Sequence, residues 1–112
     1  MKIKTITDTI LFNNGNIIYY DHTQDCYEHN YADFEQIEEM AYSYEFNEEL
    51  IFEYADGGFR FGDKRRMFYI PCYSEQNGYY TNEVDIYYNG KRVLEIEADI
   101  QYYWKEEKKN AI

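Results

Sequence analysis

Three dipeptides, Asn14-Gly15, Asp56-Gly57 and Asn89-Gly90, each sit between two strand-like runs, and they constrain this chain more than any other feature. Asn-Gly and Asp-Gly tolerate the positive φ angles that a tight reversal needs, so each predicts a β-hairpin. A two-residue turn at Asn14-Gly15 sets Phe12 opposite Ile17 and Ile10 opposite Tyr19. At Asp56-Gly57 the same geometry sets Phe52 opposite Phe61, Tyr54 opposite Phe59 and Glu53 opposite Arg60, an ion pair on one face and aromatic pairs on the other. The third hairpin poses a conflict. A plain turn at Asn89-Gly90 puts Val84 opposite Glu95, whereas the apolar pairs Val84/Ile96 and Ile86/Leu94 need one extra residue, so a β-bulge is expected.

Between the first two hairpins, Asp33–Ala41 suits one short helix with Asp33 as its cap and Gln36 three residues on. Phe34, Ile37 and Ala41 form its apolar stripe, and Glu35, Glu38 and Glu39 form a carboxylate ridge on the solvent side. Met67–Ile70 reads as a short strand that Pro71 ends or marks as an edge, because proline gives no donor to a ladder. Tyr102, Tyr103 and Trp104 anchor the tail, which frays from about residue 105. The expectation is one domain over 1–112, of class α+β but mainly antiparallel β, a hairpin-built roll or partly closed sheet with one short helix.

The core of such a domain is unusually aromatic, since the 112 residues include 15 Tyr, 7 Phe and 1 Trp. Buried tyrosines need partners for their hydroxyls, so ring bodies inside and tips at the surface are expected. Met1–Thr5 leads into a strand rather than a signal sequence, and no run has transmembrane length, so a cytoplasmic location is expected. There Cys26 and Cys72 stand as thiols rather than a disulfide.

The formal net charge is −11, which argues against direct contact with nucleic acid or an anionic membrane. Its distribution is uneven. No Lys or Arg occurs between Thr5 and Phe59, where thirteen carboxylates run from Asp8 to Asp56. Positive charge is confined to Lys2, Lys4, Arg60, Lys64-Arg65-Arg66, Lys91-Arg92 and the tail. Such a block either keeps a tyrosine-rich surface from associating or is a ligand for something basic.

Tyr19–Phe34 holds two histidines, a cysteine and several acids where a connection needs only a few turn residues. His22, Asp25, Cys26, Glu28 and His29 are all competent metal ligands, but no C-x-x-C or H-x-x-x-H pair is present, and zinc sites favour two separated pairs. Asp25 and Glu28 beside Cys26 disfavour a reactive thiolate. The favoured reading is a compact loop in which His22 and Asp25 bond backbone groups and Cys26 packs as a small hydrophobe, with no metal, cofactor or catalytic residue. Asn77-Gly78 reads as a turn, lacking the glycine pattern and positive charge of a phosphate loop, and Tyr79 and Tyr80 alternate across the strand that follows.

Two segments resemble a family of small uncharacterised domains common in bacteriophages and integrated mobile elements. Tyr20–Glu28, with His22, Gln24, Asp25, Cys26 and Glu28, is similar to its Y-x-H-x-Q-D-C-C-E motif. Ser74–Asp85, with Asn77, Gly78, Tyr79 and Tyr80, is similar to its S-N-G-Y-Y-S-E-x-V-D motif. The likeness covers roughly residues 7 to 88 and departs at Tyr27, where the family has a second cysteine. It implies a phage-type protein in the bacterial host cell, with a hairpin before the first motif and a strand after the second, and assigns no chemistry.

These readings converge on a non-enzymatic acidic protein that binds a basic protein surface. One such surface is the nucleic-acid groove of a host defence nuclease, the DNA-mimic or anti-CRISPR type of inhibition. Asp33, Glu35, Glu38, Glu39, Tyr42 and Tyr44 are the expected contacts, because Glu95 and Glu97 lie near Lys91 and Arg92. The alternative is a small metal-binding or hydrolytic protein centred on the His22–His29 loop.

Overall fold

Two sheets face one another across an aromatic core. The computed structural model describes residues 1–21, 29–78 and 81–102. In chain order the strands are β1 (Ile3–Ile6), β2 (Ile10–Phe12), β3 (Ile17–Asp21), β4 (His29–Ala32), β5 (Ile51–Ala55), β6 (Gly58–Gly62), β7 (Met67–Gln76), β8 (Glu83–Tyr88), β9 (Lys91–Glu97) and β10 (Asp99–Tyr102). One sheet has the order β1-β2-β3-β8-β9 and is antiparallel throughout. The other has the order β10-β7-β6-β5, with β4 also paired to β7. Its β10–β7 pair is parallel. The expected class, mainly antiparallel β, is what the chain adopts, with the sheets left open.

The second and third hairpins follow their sequence. Phe52 pairs with Phe61, Glu53 with Arg60 and Tyr54 with Phe59, and the Arg60 guanidinium lies 2.7 Å from the Glu53 carboxylate. At the third turn Asn89 and Gly90 both take positive φ, 51° and 85°. Tyr87 then pairs with Arg92 but Ile86 with Leu94 and Val84 with Ile96, so the expected bulge is present.

The first hairpin is shifted by one residue from the expected register. Ile10 pairs with Ile18 and Leu11 with Ile17. Only Gly15 of its dipeptide takes positive φ (92°), and the Phe12 N–H reaches the Asn16 carbonyl at 2.9 Å. The loop is therefore the three-residue form, Asn13-Asn14-Gly15, rather than a two-residue turn. Asn14 Oδ1 accepts from the Asn16 N–H at 3.1 Å, and Asn13 bonds the Lys2 backbone, which joins this loop to the end of β1. The shift puts Ile18 rather than Ile17 in the core, where it and Ile10 are fully buried.

Two further expectations are corrected. Pro71 neither ends a strand nor lies at an edge of its sheet. It sits inside the ten-residue β7 where pairing changes hands, β6 flanking Met67–Pro71 and β4 and β10 flanking the residues after it. The ladder with β4 starts only at Ala32↔Cys72, and Pro71 contributes its carbonyl, to the Asp33 N–H at 2.9 Å. The helical stretch is two 3-10 turns, Phe34–Gln36 and Glu39–Ser43, separated at Ile37-Glu38. Asp33 does not cap the first with its side chain; its carboxylate takes the Gln36 amide at 2.7 Å instead.

Phe12, Phe34, Phe59, Phe61 and Phe68 are at most 2 % exposed, and Phe46 lies among them, 5.5 Å from Phe12, 5.6 Å from Phe61 and 5.4 Å from Phe68. Tyrosine hydroxyls do reach polar partners at the margins: Tyr44 donates to Asp63 (2.8 Å), Tyr69 to the Asp56 carbonyl (2.6 Å) and Tyr88 to the Glu48 carbonyl (2.7 Å). Gly58 fits where nothing larger does, since a Cβ there would meet the Ile70 carbonyl oxygen at 2.1 Å. Beside the aromatic core lies a fully buried polar set, Asn30, Ser74 and Gln76. Ser74 Oγ donates to Asn30 Oδ1, and both amides donate to the Thr81 carbonyl, at 2.9 Å from Asn30 and 3.0 Å from Gln76. This set ties β4 and β7 to the start of β8, and so fixes where the outer face of β8 lies.

Candidate functional site: an acidic sheet face

Side chains alternate across a strand, so burying Ile18, Val84, Ile86, Leu94 and Ile96 sends their neighbours to the other face of β3, β8 and β9. Register then decides which of those neighbours meet. Asp21 pairs with Asp85 and Asp85 with Glu95, a row of three carboxylates running across three strands. Glu83 pairs with Glu97 in the next row. On the other side of the first row Tyr19 pairs with Tyr87, their rings stacked 5.2 Å apart and 7° from parallel, and Tyr87 pairs with Arg92. The face thus carries two carboxylate rows beside a tyrosine pair.

Like charges placed directly opposite in a sheet repel. The Glu83 carboxyl is raised above its ordinary value, first by the charge of Asp85, then by burial and by Glu95. Asp85 is raised too, chiefly by burial, with Glu95 and Asp21 adding to the rise and Arg92 opposing it. Arg92 Nη1 lies 2.8 Å from a Glu95 oxygen, a cation at the edge of the rows. Asp85 Oδ1 is shut from solvent and has no hydrogen-bond partner among the described residues. Glu83, Asp85 and Glu95 can each bring one oxygen within 4.8 Å of the others. Carboxylate oxygens at that spacing suit a hard cation such as Ca²⁺ or Mg²⁺, and suit equally the ammonium or guanidinium of a partner.

Two clefts border the face. One, of about 400 Å³, lies between Tyr54, the Asp56–Gly58 turn and Glu95–Glu97; the other, of about 290 Å³, lies between Thr81–Glu83 and the same three residues of β9.

The residues singled out from sequence fall elsewhere. His22, Gln24, Asp25, Cys26 and Glu28 lie outside the described residues, as do Tyr79 and Tyr80. His29 opens β4, its Nδ1 3.6 Å from Glu75 and its ring stacked on Tyr31 at 4.7 Å. Asn77 and Gly78 form a bend after β7, where Gly78 takes a φ of 99°. Cys72 is a fully buried thiol pushed up to about 12 by burial and by Asp99, so it carries no thiolate at neutral pH. The 3-10 ridge is divided in two. Glu35, Glu39 and Tyr42 are exposed beside Met40, whereas Glu38 is bonded to Arg66. Tyr44 packs edge-on against Phe46 and Phe68, with Arg65 over its ring.

Asp21, Glu83 and Asp85 were not among the sequence candidates, and Glu95 and Glu97 were set aside. The signal for part of this site was nevertheless present, because the apolar pairing Val84/Ile96 forces Asp85 opposite Glu95 and Glu83 opposite Glu97. Comparison with family models, curated proteins and solved structures finds no match. No helix among the described residues is long and apolar enough to cross a membrane.

Proposed function

We propose that this is a non-enzymatic binding protein that offers the β3-β8-β9 face to a basic protein surface, with the phage-type inhibition of a defence nuclease as its particular form. The observation that carries the reading is the Asp21–Asp85–Glu95 row, with Asp85 Oδ1 enclosed and without a hydrogen-bond partner among the described residues. A sheet face gains nothing in the free protein from opposing like charges, whereas a cationic partner turns their mutual repulsion into attraction. Tyr19 and Tyr87 supply flat apolar area beside the charges, the residue type that dominates binding hot spots. Glu35 and Glu39, exposed with Met40 and Tyr42 on the two 3-10 turns, offer further acids, but among the described residues no enclosed carboxylate oxygen lies there.

A competition experiment tests this. A Cas9-type nuclease loaded with guide is bound to a labelled duplex carrying its recognition motif, and the protein is titrated in. Displacement is expected, weakening steeply with salt, because arginines that hold bases and phosphates are the groups a carboxylate face would occupy. Asp21→Asn/Asp85→Asn/Glu95→Gln should raise the midpoint at least about tenfold, and Glu35→Gln/Glu38→Gln/Glu39→Gln by less. Displacement indifferent to salt and to the first triple variant overturns the acidic-face reading. Absence of displacement, with salt-sensitive binding of the face to other basic proteins, removes only the nuclease.

A further inference from the structure

The unpaired edge of β9 points to a more specific partner geometry, which rests on the acidic-face reading and refines it. Among the described residues β9 is hydrogen-bonded to one strand only, β8, with β5 packed near it but unpaired. Sheet edges are usually blunted by bulges and lysines. On β9 those devices are confined to its first half, which holds Lys91, Arg92 and the bulge at Val93. Leu94–Glu97 then runs in unbroken register with β8, and this regular half is bordered by both clefts.

We infer that this half-edge receives an extended segment of the partner with arginine or lysine at alternate positions. An added strand continues the rows already present. A side chain opposite Glu95 extends the Asp21–Asp85–Glu95 row, and one two residues away extends the Glu83–Glu97 row. That spacing is roughly 6.5–7 Å along a strand, so two cations at i and i+2 cap two rows of carboxylates. The intervening residue turns toward the larger cleft, whose wall includes Tyr54, 63 % exposed. Charge complementarity selects this occupant over a second copy of the chain. A copy would set Glu95 and Glu97 against acids of a protein with net charge −11.

The test uses a labelled peptide alternating threonine and arginine, read by fluorescence anisotropy at low salt. In a paired strand only every second N–H faces the neighbour, so two further peptides carry backbone N-methyl groups in the two alternate phases at unchanged charge. One phase should lose affinity at least tenfold and the other little, and hydrogen exchange at residues 94–97 should slow when the unmethylated peptide binds. Glu95→Gln/Glu97→Gln, verified as folded by its thermal transition, should weaken that peptide at least tenfold. Equal affinity of both methylated phases overturns the edge while leaving salt-sensitive binding to the face intact. Peptide binding indifferent to salt and to the glutamate changes overturns both readings.

Discussion

Asp63 is buried and Asp85 half-buried with one oxygen enclosed, and their surroundings are opposite. Asp63, 8 % exposed, follows β6 in a tight turn. Its carboxylate accepts from the Tyr44 hydroxyl (2.8 Å), the Arg65 N–H (2.9 Å) and the Arg66 N–H (3.1 Å), with the Arg65 guanidinium at 3.4 Å. Burial alone would raise this carboxyl, but the hydrogen bonds outweigh it and hold it below its ordinary value. Asp85 is raised, chiefly by burial; it faces Asp21 on one side and Glu95 on the other, and its Oδ1 has no hydrogen-bond partner among the described residues. One aspartate is surrounded by donors that stabilise its charge; the other is disfavoured first by burial and then by neighbouring carboxylates, against the pull of Arg92. A fold selected for stability alone would hold both like Asp63. Carboxylates kept at a cost on an outer face are what a binding surface requires, since the cost is recovered only when a cation arrives.

The largest effect that tests this contrast is at Asp63. Asp63→Ala strands the Tyr44 hydroxyl and the Arg65 N–H, while the Arg66 N–H keeps the Asp63 carbonyl at 3.2 Å, and should lower stability by about 2–3 kcal/mol in urea denaturation. Asp63→Asn keeps one acceptor oxygen and should lose about half as much. Partner binding by either folded variant should be unchanged, since Asp63 is no part of the β3-β8-β9 face. A neutral Asp63→Ala would mean that the turn is held by its backbone bonds alone, and the contrast would lose one of its sides.

Hairpins were legible where two signals agreed and ambiguous where one stood alone. Glu53/Arg60 and the aromatic pairs reported the same register, and in the third hairpin the apolar pairs overruled the simplest turn. Asn14-Gly15 had no such check, because Ile17, Ile18 and Tyr19 are all apolar and either register buries something. Pro71 was misread because a sequence does not show which side of a strand its missing donor faces. Half the acidic face was implicit in the third hairpin, yet Arg92 beside Glu95 suggested neutralisation, whereas one arginine serves a whole row. Asp21 could not have been foreseen, since β3 and β8 are distant in sequence and pair only through the fold.

At Asp85 the expected change has the opposite sign. Asp85→Asn replaces a repelled oxygen by an amide that can donate to Glu95 or Asp21, so the variant should be more stable by about 0.5 kcal/mol. For a domain of this size that is about 2–4 °C in Tm, readable by scanning calorimetry. On the acidic-face proposal the same variant should compete more weakly in the displacement experiment, a gain in stability coupled to a loss of binding. If stability falls, Asp85 is making a bond that matters to the fold and is not a charge held in reserve.

The smallest effect is in the pH profile, where the two aspartates act in different windows. Glu83 and Asp85 have raised folded values, so as pH falls from neutral the folded chain takes up their protons before the unfolded chain does. Stability contributed by these groups therefore rises as the solution is acidified toward the ordinary carboxylate value of about 4. Asp63 is depressed, so its contribution is complete above that ordinary value and is lost as pH falls below it through the folded value. Their contributions therefore have opposite signs on the two sides of that ordinary value. Differences between variants isolate each limb from the many other carboxylates. Asp85→Asn should flatten the rise between neutrality and the ordinary carboxylate value and leave the acid limb alone, whereas Asp63→Asn should shrink the acid limb and leave the rise. Thermal midpoints across the range, measured for the parent and both variants in one buffer series, separate the two. Profiles that merely shift in parallel would mean that overall charge, and not the two local environments, governs the response.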